Sequence, residues 1–173
     1  MPSNTPTPPS SIALGGGCHW CTEGVFVSLR GVVKVDQGWV SAPAPDDSFS
    51  EAVIVRYDPA VITLEELIEV HLETHAATVA HPLRHKYRSA VYAFSPEERD
   101  RCNHILARLA QQRGQHFVTR ALLLTAFRPS PPEYQDYYRT NPDRPFCRRY
   151  ISPKLDKLRR RKPNLLVDGQ KRT

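Results

Sequence analysis

Four cysteines, at positions 18, 21, 102 and 147, carry most of the chemistry this chain can offer. Cys18 and Cys21 form a C-x-x-C pair inside the run Gly15-Gly16-Gly17-Cys18-His19-Trp20-Cys21. Glycines without a Cβ let the backbone approach a ligand closely. Trp20, Val25 and Leu29 then repeat at helical spacing, so Cys18 falls at or just before a helix start. A helix N-terminus presents unpaired N–H groups and positive dipole potential, which favour a thiolate over a thiol. The thiolate is the nucleophile. Trp20 beside it would wall a site for a small apolar group such as an S-methyl. Two blander readings compete. Both cysteines could be small core residues, or they could be ligands of a structural zinc, which needs a second close ligand pair. Cys102 and His104 stand two apart in a helix and point in different directions. The glycines and the helix start favour a reactive thiol with no metal.

Composition narrows the setting. About 40% of the 173 residues are apolar, enough for one core and one domain. No run nears the ~20 apolar residues of a membrane span. The opening MPSNTPTPPSS lacks the basic and apolar regions of a secretory signal and reads as a disordered leader over 1–10. Four cysteines are too few for a disulfide-stapled scaffold, so the expected compartment is the cytoplasm. The net charge of +6 is uneven: residues 148–173 hold ten Lys or Arg against two acids, and the rest of the chain fourteen against sixteen. The expected domain therefore spans 11–150, followed by a basic tail over 151–173. Charge runs of this kind are usually solvated, so nucleic acid is not the expected partner, and a monomer is expected.

The elements that must position the thiols read as follows. Ile12-Ala13-Leu14 is a short buried strand, and a helix follows from Cys18 to Gly31. Residues 31–40 and 51–57 are β-branched strands. Thr63-Leu64-Glu65-Glu66 is a capping box opening a helix to about His75. Residues 87–94 form a strand, Ser95-Pro96 opens a helix that Gly114 ends, and 117–127 is a strand. Residues 133–139 read as a short helix or ordered turn, and the remainder as irregular. The order β-α-β-β-α-β-α-β predicts an α/β (α+β) single domain: a ferredoxin-like split-βαβ core, a mixed sheet with helices packed on it, and an irregular C-terminal segment.

Gly16-Gly17-Cys18-His19-Trp20-Cys21 resembles the signature of the A-type methionine sulfoxide reductases, Gly-Cys-Phe-Trp followed by Gly or Cys. Further stretches agree in order: Gly31-Val32 with Gly38, Glu51-Ala52-Val53 with Tyr57-Asp58-Pro59, Tyr87-Arg88-Ser89-Ala90 with Tyr92, and Tyr134-Gln135 through Asn141-Pro142 to Cys147. The match covers roughly residues 11–150, and several motifs in order are specific where one would be weak.

The resemblance implies a role for each matching residue. Cys18 attacks the sulfoxide sulfur and is left as a sulfenic acid. Glu51, held protonated by burial, donates to the sulfoxide oxygen, and the Tyr87 hydroxyl bonds the same oxygen. Trp20 cages the methyl group, with His19 and Trp39 at the substrate. On residues alone, Glu51 would be a solvent-facing strand start, Tyr87 a core-edge tyrosine and Trp20 core filling. Regeneration needs a second thiol. Cys147 matches the C-terminal resolving cysteine and is expected on a mobile segment; Cys21 stands one helical turn from Cys18. The two rank close, Cys147 ahead, and Cys102 is expected to be inert. No cofactor is implied beyond an external reductant, thioredoxin or dithiothreitol. The implied substrates are oxidised proteins or free methionine sulfoxide, as the S epimer.

The chain departs from the family at three places. His19 replaces a Phe, Trp39 replaces a Tyr, and His81-Pro82-Leu83-Arg84-His85-Lys86 replaces an Asn-Asp-x-Gly-x-Gln stretch, with Pro82 at the aspartate position and His81 or Arg84 available for polar work at the lip. Two alternatives therefore stay open: a general dithiol oxidoreductase working through Cys18 and Cys21, and a non-catalytic binding protein with a decayed pocket and a basic tail.

Overall fold

The computed structural model describes residues 8–79 and 86–167. The elements in chain order are β1 (Ser10–Gly15), α1 (His19–Phe26), β2 (Val32–Ser41), β3 (Ser50–Tyr57), α2 (Leu64–Glu73), β4 (Ala90–Ala93), α3 (Pro96–Arg113), β5 (Arg120–Leu123), β6 (Ala126–Pro129), α4 (Tyr137–Thr140) and α5 (Ser152–Arg161). The local signals act where expected. The Thr63 hydroxyl accepts from Glu66 N–H (3.1 Å) while Glu66 Oε1 accepts from Thr63 N–H (3.0 Å). Ser95 caps α3, with Pro96 in its first turn, and Gly114 ends it at φ 59°, a left-handed position that favours glycine. Helix α1 is shorter than expected. It stops at Phe26, and the Ser28 hydroxyl donates to the Gly24 carbonyl (2.8 Å), the local bonding by which Ser competes with helix continuation.

The sheet order is β5-β4-β1-β3-β2-β6. Strands β4, β1, β3 and β2 are mutually antiparallel, which is the ferredoxin-like core, and β5 joins β4 in parallel while β6 joins β2 antiparallel. The strand expected over 117–127 is thus two short segments that run in one direction at opposite edges of the sheet. In a flat sheet those edges would lie about 24 Å apart, yet the two-residue link reaches only about 11 Å. The sheet must curl. Leu124 N–H donates to the Ala93 carbonyl and Thr125 N–H to the Ser41 carbonyl, both at 2.9 Å, so adjacent residues stitch the two edges together. The alternating faces of the strands feed two interiors. Ile12, Leu14, Val53, Val55 and Val91 face the helices, whereas Ala13, Ala52, Ala90 and Tyr92 fill the concave side.

The C-terminal segment is not irregular. Residues 132–134 and 137–140 form short helical turns, Cys147–Ile151 a π-helical turn, and α5 follows. Ile151, Leu155 and Leu158 are almost fully buried in the main core. The expected basic tail from 151 is therefore, as far as 167, part of the packed domain. Its cations meet the acids of α2: Lys162 Nζ lies 2.7 Å from Glu69 Oε2, and Lys157 Nζ donates to the Glu73 carbonyl (2.9 Å). A narrow apolar stripe at i, i+4 and i+7 was masked by the surrounding charge. Of the expected leader over 1–10, residues 1–7 lie outside the described residues, and Ser10 already belongs to β1. Among the described residues, no helix is long and apolar enough to cross a membrane.

Candidate active site

Strand β1 delivers the glycines to the mouth of the sheet. A Cβ on Gly15 would stand 2.9 Å from the Glu51 carbonyl oxygen, and one on Gly16 would stand 2.5 Å from the His75 ring. The first two glycines thus permit close packing by β3 and by the turn after α2. Only Gly17 of the three faces open space, with nothing within 4 Å of where a Cβ would stand.

Cys18 is the N-cap residue of α1, with extended ψ (129°) and a half-buried side chain. Its sulfur is held below the ordinary thiol range first by a hydrogen bond from the Cys21 thiol, then by the backbone N–H groups of Trp20 and Cys21. Burial and the charge of Glu51 oppose this. The partner thiol moves the other way: donation to Cys18 and burial push Cys21 up, against the pull of the Lys154 ammonium. The pair is therefore asymmetric, with Cys18 the more acidic, accepting sulfur and Cys21 the thiol that donates to it. This closeness arises from the helical turn itself, since Cys21 N–H donates to the Cys18 carbonyl (3.1 Å).

Glu51 enters from β3, nearly buried (7% exposed), and its Oε1 accepts from His19 N–H at 3.2 Å. Lys86 Nζ lies 3.9 Å from Glu51 Oε2 and sits 5.1 Å from the centre of the Tyr87 ring. Lys86 thus links Glu51 to Tyr87, and the charge of Glu51 reaches the Cys18 sulfur. Trp39, opposite Glu51 in the β2–β3 register, meets the His19 ring edge-on at 5.1 Å. Trp20 turns toward the C-terminal segment. It stacks on Tyr137 (4.5 Å, 14°) and meets Phe146 edge-on (5.4 Å). The expected lip residues His81, Pro82 and Arg84 lie outside the described residues.

The remaining thiols differ. Cys147 is fully buried at the start of the π-helical turn, not on a mobile loop, and Cys21 feels its charge. Cys102 is buried inside α3, and burial pushes its thiol up to about 12. Among the described residues, no group of three or more His, Cys, Asp or Glu side chains is placed to hold a metal ion.

Sequence reasoning gave no role to Glu23. Its carboxylate is 1% exposed and accepts from Gln37 Nε2, Asp136 N–H and Tyr137 N–H, each at 2.9 Å. Burial raises it, against those three donors. It fastens α1 to the segment that covers Trp20. An acid on the core-facing side of a short apolar helix was the available signal.

A sequence profile of the family described as "Peptide methionine sulfoxide reductase" matches residues 10–165. The chain belongs to this family. The peptide methionine sulfoxide reductase MsrA of Thermus thermophilus is 32% identical over 91% of this chain and 98% of its own length, and that of Sulfolobus acidocaldarius 30% identical over 87% and 94%. The fold is similar to the reduced form of Mxr1 from Saccharomyces cerevisiae, with TM-score 0.70 and 24% identity over 83% of this chain and 91% of that one. It is also similar to methionine sulfoxide reductase A of Corynebacterium diphtheriae, with TM-score 0.64 and 27% identity over 80% and 77%. Mxr1 has further been solved in complex with Trx2 (TM-score 0.59, 24% identity, 77% and 87% covered). The departures at His19 and Trp39 thus sit within an otherwise family-like fold.

Proposed function

We propose that this chain reduces methionine sulfoxide, free or in oxidised proteins and as the S epimer, with Cys18 as nucleophile. The observation that carries the reading is the Cys18 sulfur at the start of α1, accepting from the Cys21 thiol and two backbone N–H groups beside the Glu51 carboxyl. The Cys18 thiolate attacks the sulfoxide sulfur, and one proton from Glu51 goes to the oxygen. The substrate sulfur gains two electrons and leaves as the thioether, while Cys18 loses two and becomes a sulfenic acid. The Tyr87 hydroxyl steadies the same oxygen, and Trp20 and Trp39 bound the methyl side. The sulfenic acid and the Cys21 thiol then close a disulfide and release water. Direct contact favours Cys21 as first resolver and reverses the expected order; Cys147, buried beside it, is the second acceptor for the disulfide. A thioredoxin-type dithiol returns the two electrons, as the complex of Mxr1 with Trx2 suggests. No prosthetic group enters this cycle. All four cysteines are free thiols, which suits a reducing compartment such as the cytoplasm.

Glu51→Gln should slow Cys18 oxidation in a single turnover by roughly 10²–10⁴, the usual range for a lost proton donor. A wild-type rate would remove Glu51 from the mechanism. The same variant tests the dithiol-oxidoreductase reading, which the Cys18–Cys21 contact also suits, because disulfide exchange on a protein substrate has no use for Glu51. Mass spectrometry after one equivalent of sulfoxide should find Cys18 joined to Cys21. A Cys18–Cys147 link as the first product would restore the order expected from the sequence.

A further inference from the structure

His19 stands where the family signature has a phenylalanine, and the structure gives it more than a shape to fill. The ring is nearly buried (5% exposed) and is held by the backbone at Nδ1. Nδ1 lies 2.8 Å from the Gly38 carbonyl oxygen. A carbonyl only accepts, so Nδ1 carries a hydrogen. Nδ1 is thereby taken out of proton exchange, and Nε2 is the nitrogen left to gain or lose a proton. Nε2 faces Glu51 Oε1 at 3.6 Å. The same oxygen accepts the His19 backbone N–H, which fixes the carboxyl toward the ring. The edge of Trp39 closes one side of the imidazole.

We infer that His19 is the proton store behind Glu51: its Nε2 holds, and passes to the Glu51 carboxyl, the proton that Glu51 delivers to the sulfoxide oxygen. This deepens the reading of the site as a sulfoxide reductase and rests on it. His19 acts through Glu51 and is a positioning residue. The protons balance over the cycle. In the resting site Cys18 is a thiolate and the His19–Glu51 pair holds one proton. Attack on the sulfoxide moves that proton to the oxygen, leaving the sulfenic acid, a carboxylate and a neutral ring. Disulfide closure sends the Cys21 proton out with the hydroxyl as water. The reducing dithiol then supplies two protons, one for Cys21 and one for the pair, as Cys18 returns to thiolate. A phenylalanine at this position could hold no proton, so Glu51 would have to be recharged from solvent.

Among the described residues, the charged neighbours that bear on the pair are Cys18 at the start of α1, Glu51 on β3, and Lys86 and Tyr87 on the segment before β4. Strand β2 contributes the Gly38 carbonyl and the Trp39 ring, neither of which titrates near neutrality. Glu23, one turn along α1, is turned to Gln37 and the backbone at 136–137.

The test is the pH profile of single-turnover Cys18 oxidation in His19→Phe, the variant with the family's own side chain. The variant should stay within about threefold of wild type near pH 5.5, where solvent keeps Glu51 supplied, and fall roughly tenfold or more behind near pH 8. Its rate should therefore decline at lower pH than that of the wild type. Profiles that differ by one constant factor at all pH values would mean that the ring only fills space and would overturn the inference. A second arm does not need that variant to fold or the enzyme to turn over. In wild type, 15N NMR of the neutral His19 ring should show hydrogen on Nδ1, and Glu51→Gln should displace the pH range over which Nε2 titrates. Hydrogen on Nε2 in the neutral ring, or an unchanged titration in Glu51→Gln, would end the proposal. If wild-type protein reduces no methionine sulfoxide while the NMR result holds, the reading of the reaction fails and the proton pair stands.

Discussion

Cys18 and Cys102 are both helix-associated thiols, and their surroundings send them to opposite ends of thiol chemistry. Cys18 caps α1, so unpaired N–H groups and the Cys21 thiol converge on its sulfur. Cys102 lies in the second turn of α3, where backbone N–H groups are already spent on the helix and apolar neighbours seal it from water. Burial works against the thiolate at both, more completely at Cys102; what differs most is the supply of donors. A reactive cysteine is thus made by the backbone that ends at it as much as by exposure.

The sharpest way to break this comparison is to exchange each thiol for a hydroxyl. Cys18→Ser should abolish methionine sulfoxide reduction, because a serine supplies no thiolate at neutral pH. Cys102→Ser should leave turnover intact and cost about 1 kcal/mol in urea unfolding, the hydroxyl finding a carbonyl one turn back. Appreciable turnover in the first, or loss in the second, would invert the assignment. A smaller effect sharpens the source of Cys18 reactivity. Its sulfur is held below the ordinary range, so its thiolate persists to lower pH than that of a free thiol. Cys21→Ala removes the largest contribution, so iodoacetamide labelling of Cys18 near pH 6 should slow by about tenfold and recover as pH rises past the ordinary thiol range. Equal labelling across that range would give the credit to the helix N-terminus alone. The smallest effect concerns Lys154, whose charge lowers Cys21. Burial lowers Lys154 itself. Lys154→Met should slow closure of the first disulfide by roughly twofold to tenfold, leaving Cys18 oxidation close to wild type.

The first two thirds of the chain were largely legible. Gly-Gly-Gly-Cys, Thr63-x-x-Glu66, Ser95-Pro96 and Gly114 each encode their element through local chemistry, and the four-strand core follows from the order of those elements. At the site, the acidity of Cys18 was legible from its glycines and helix start, whereas the expected roles of Glu51 and Tyr87 rested on the family resemblance and not on residue type. What stayed hidden depends on contacts between distant residues. The contact of Cys21 with Cys18 at the expense of Cys147, the grip of Glu23 on residues 136–137 and the facing of His19 Nε2 to Glu51 all need the folded chain. The C-terminal helix was hidden for another reason. Its burial rests on Ile151, Leu155 and Leu158 among many charges, too thin a stripe to outweigh composition.

The strand that runs from β5 into β6 has a consequence for how this protein meets copies of itself. A sheet normally offers two outer rows of unpaired backbone groups, and each invites another chain to add a strand. Here four residues border each side, and they carry Arg120, Arg128 and Pro129, all exposed. Cations and a proline missing its N–H make poor templates. The seam that shapes the catalytic domain thus also guards it against edge-to-edge association, a useful property in an enzyme that would work among damaged, partly unfolded clients.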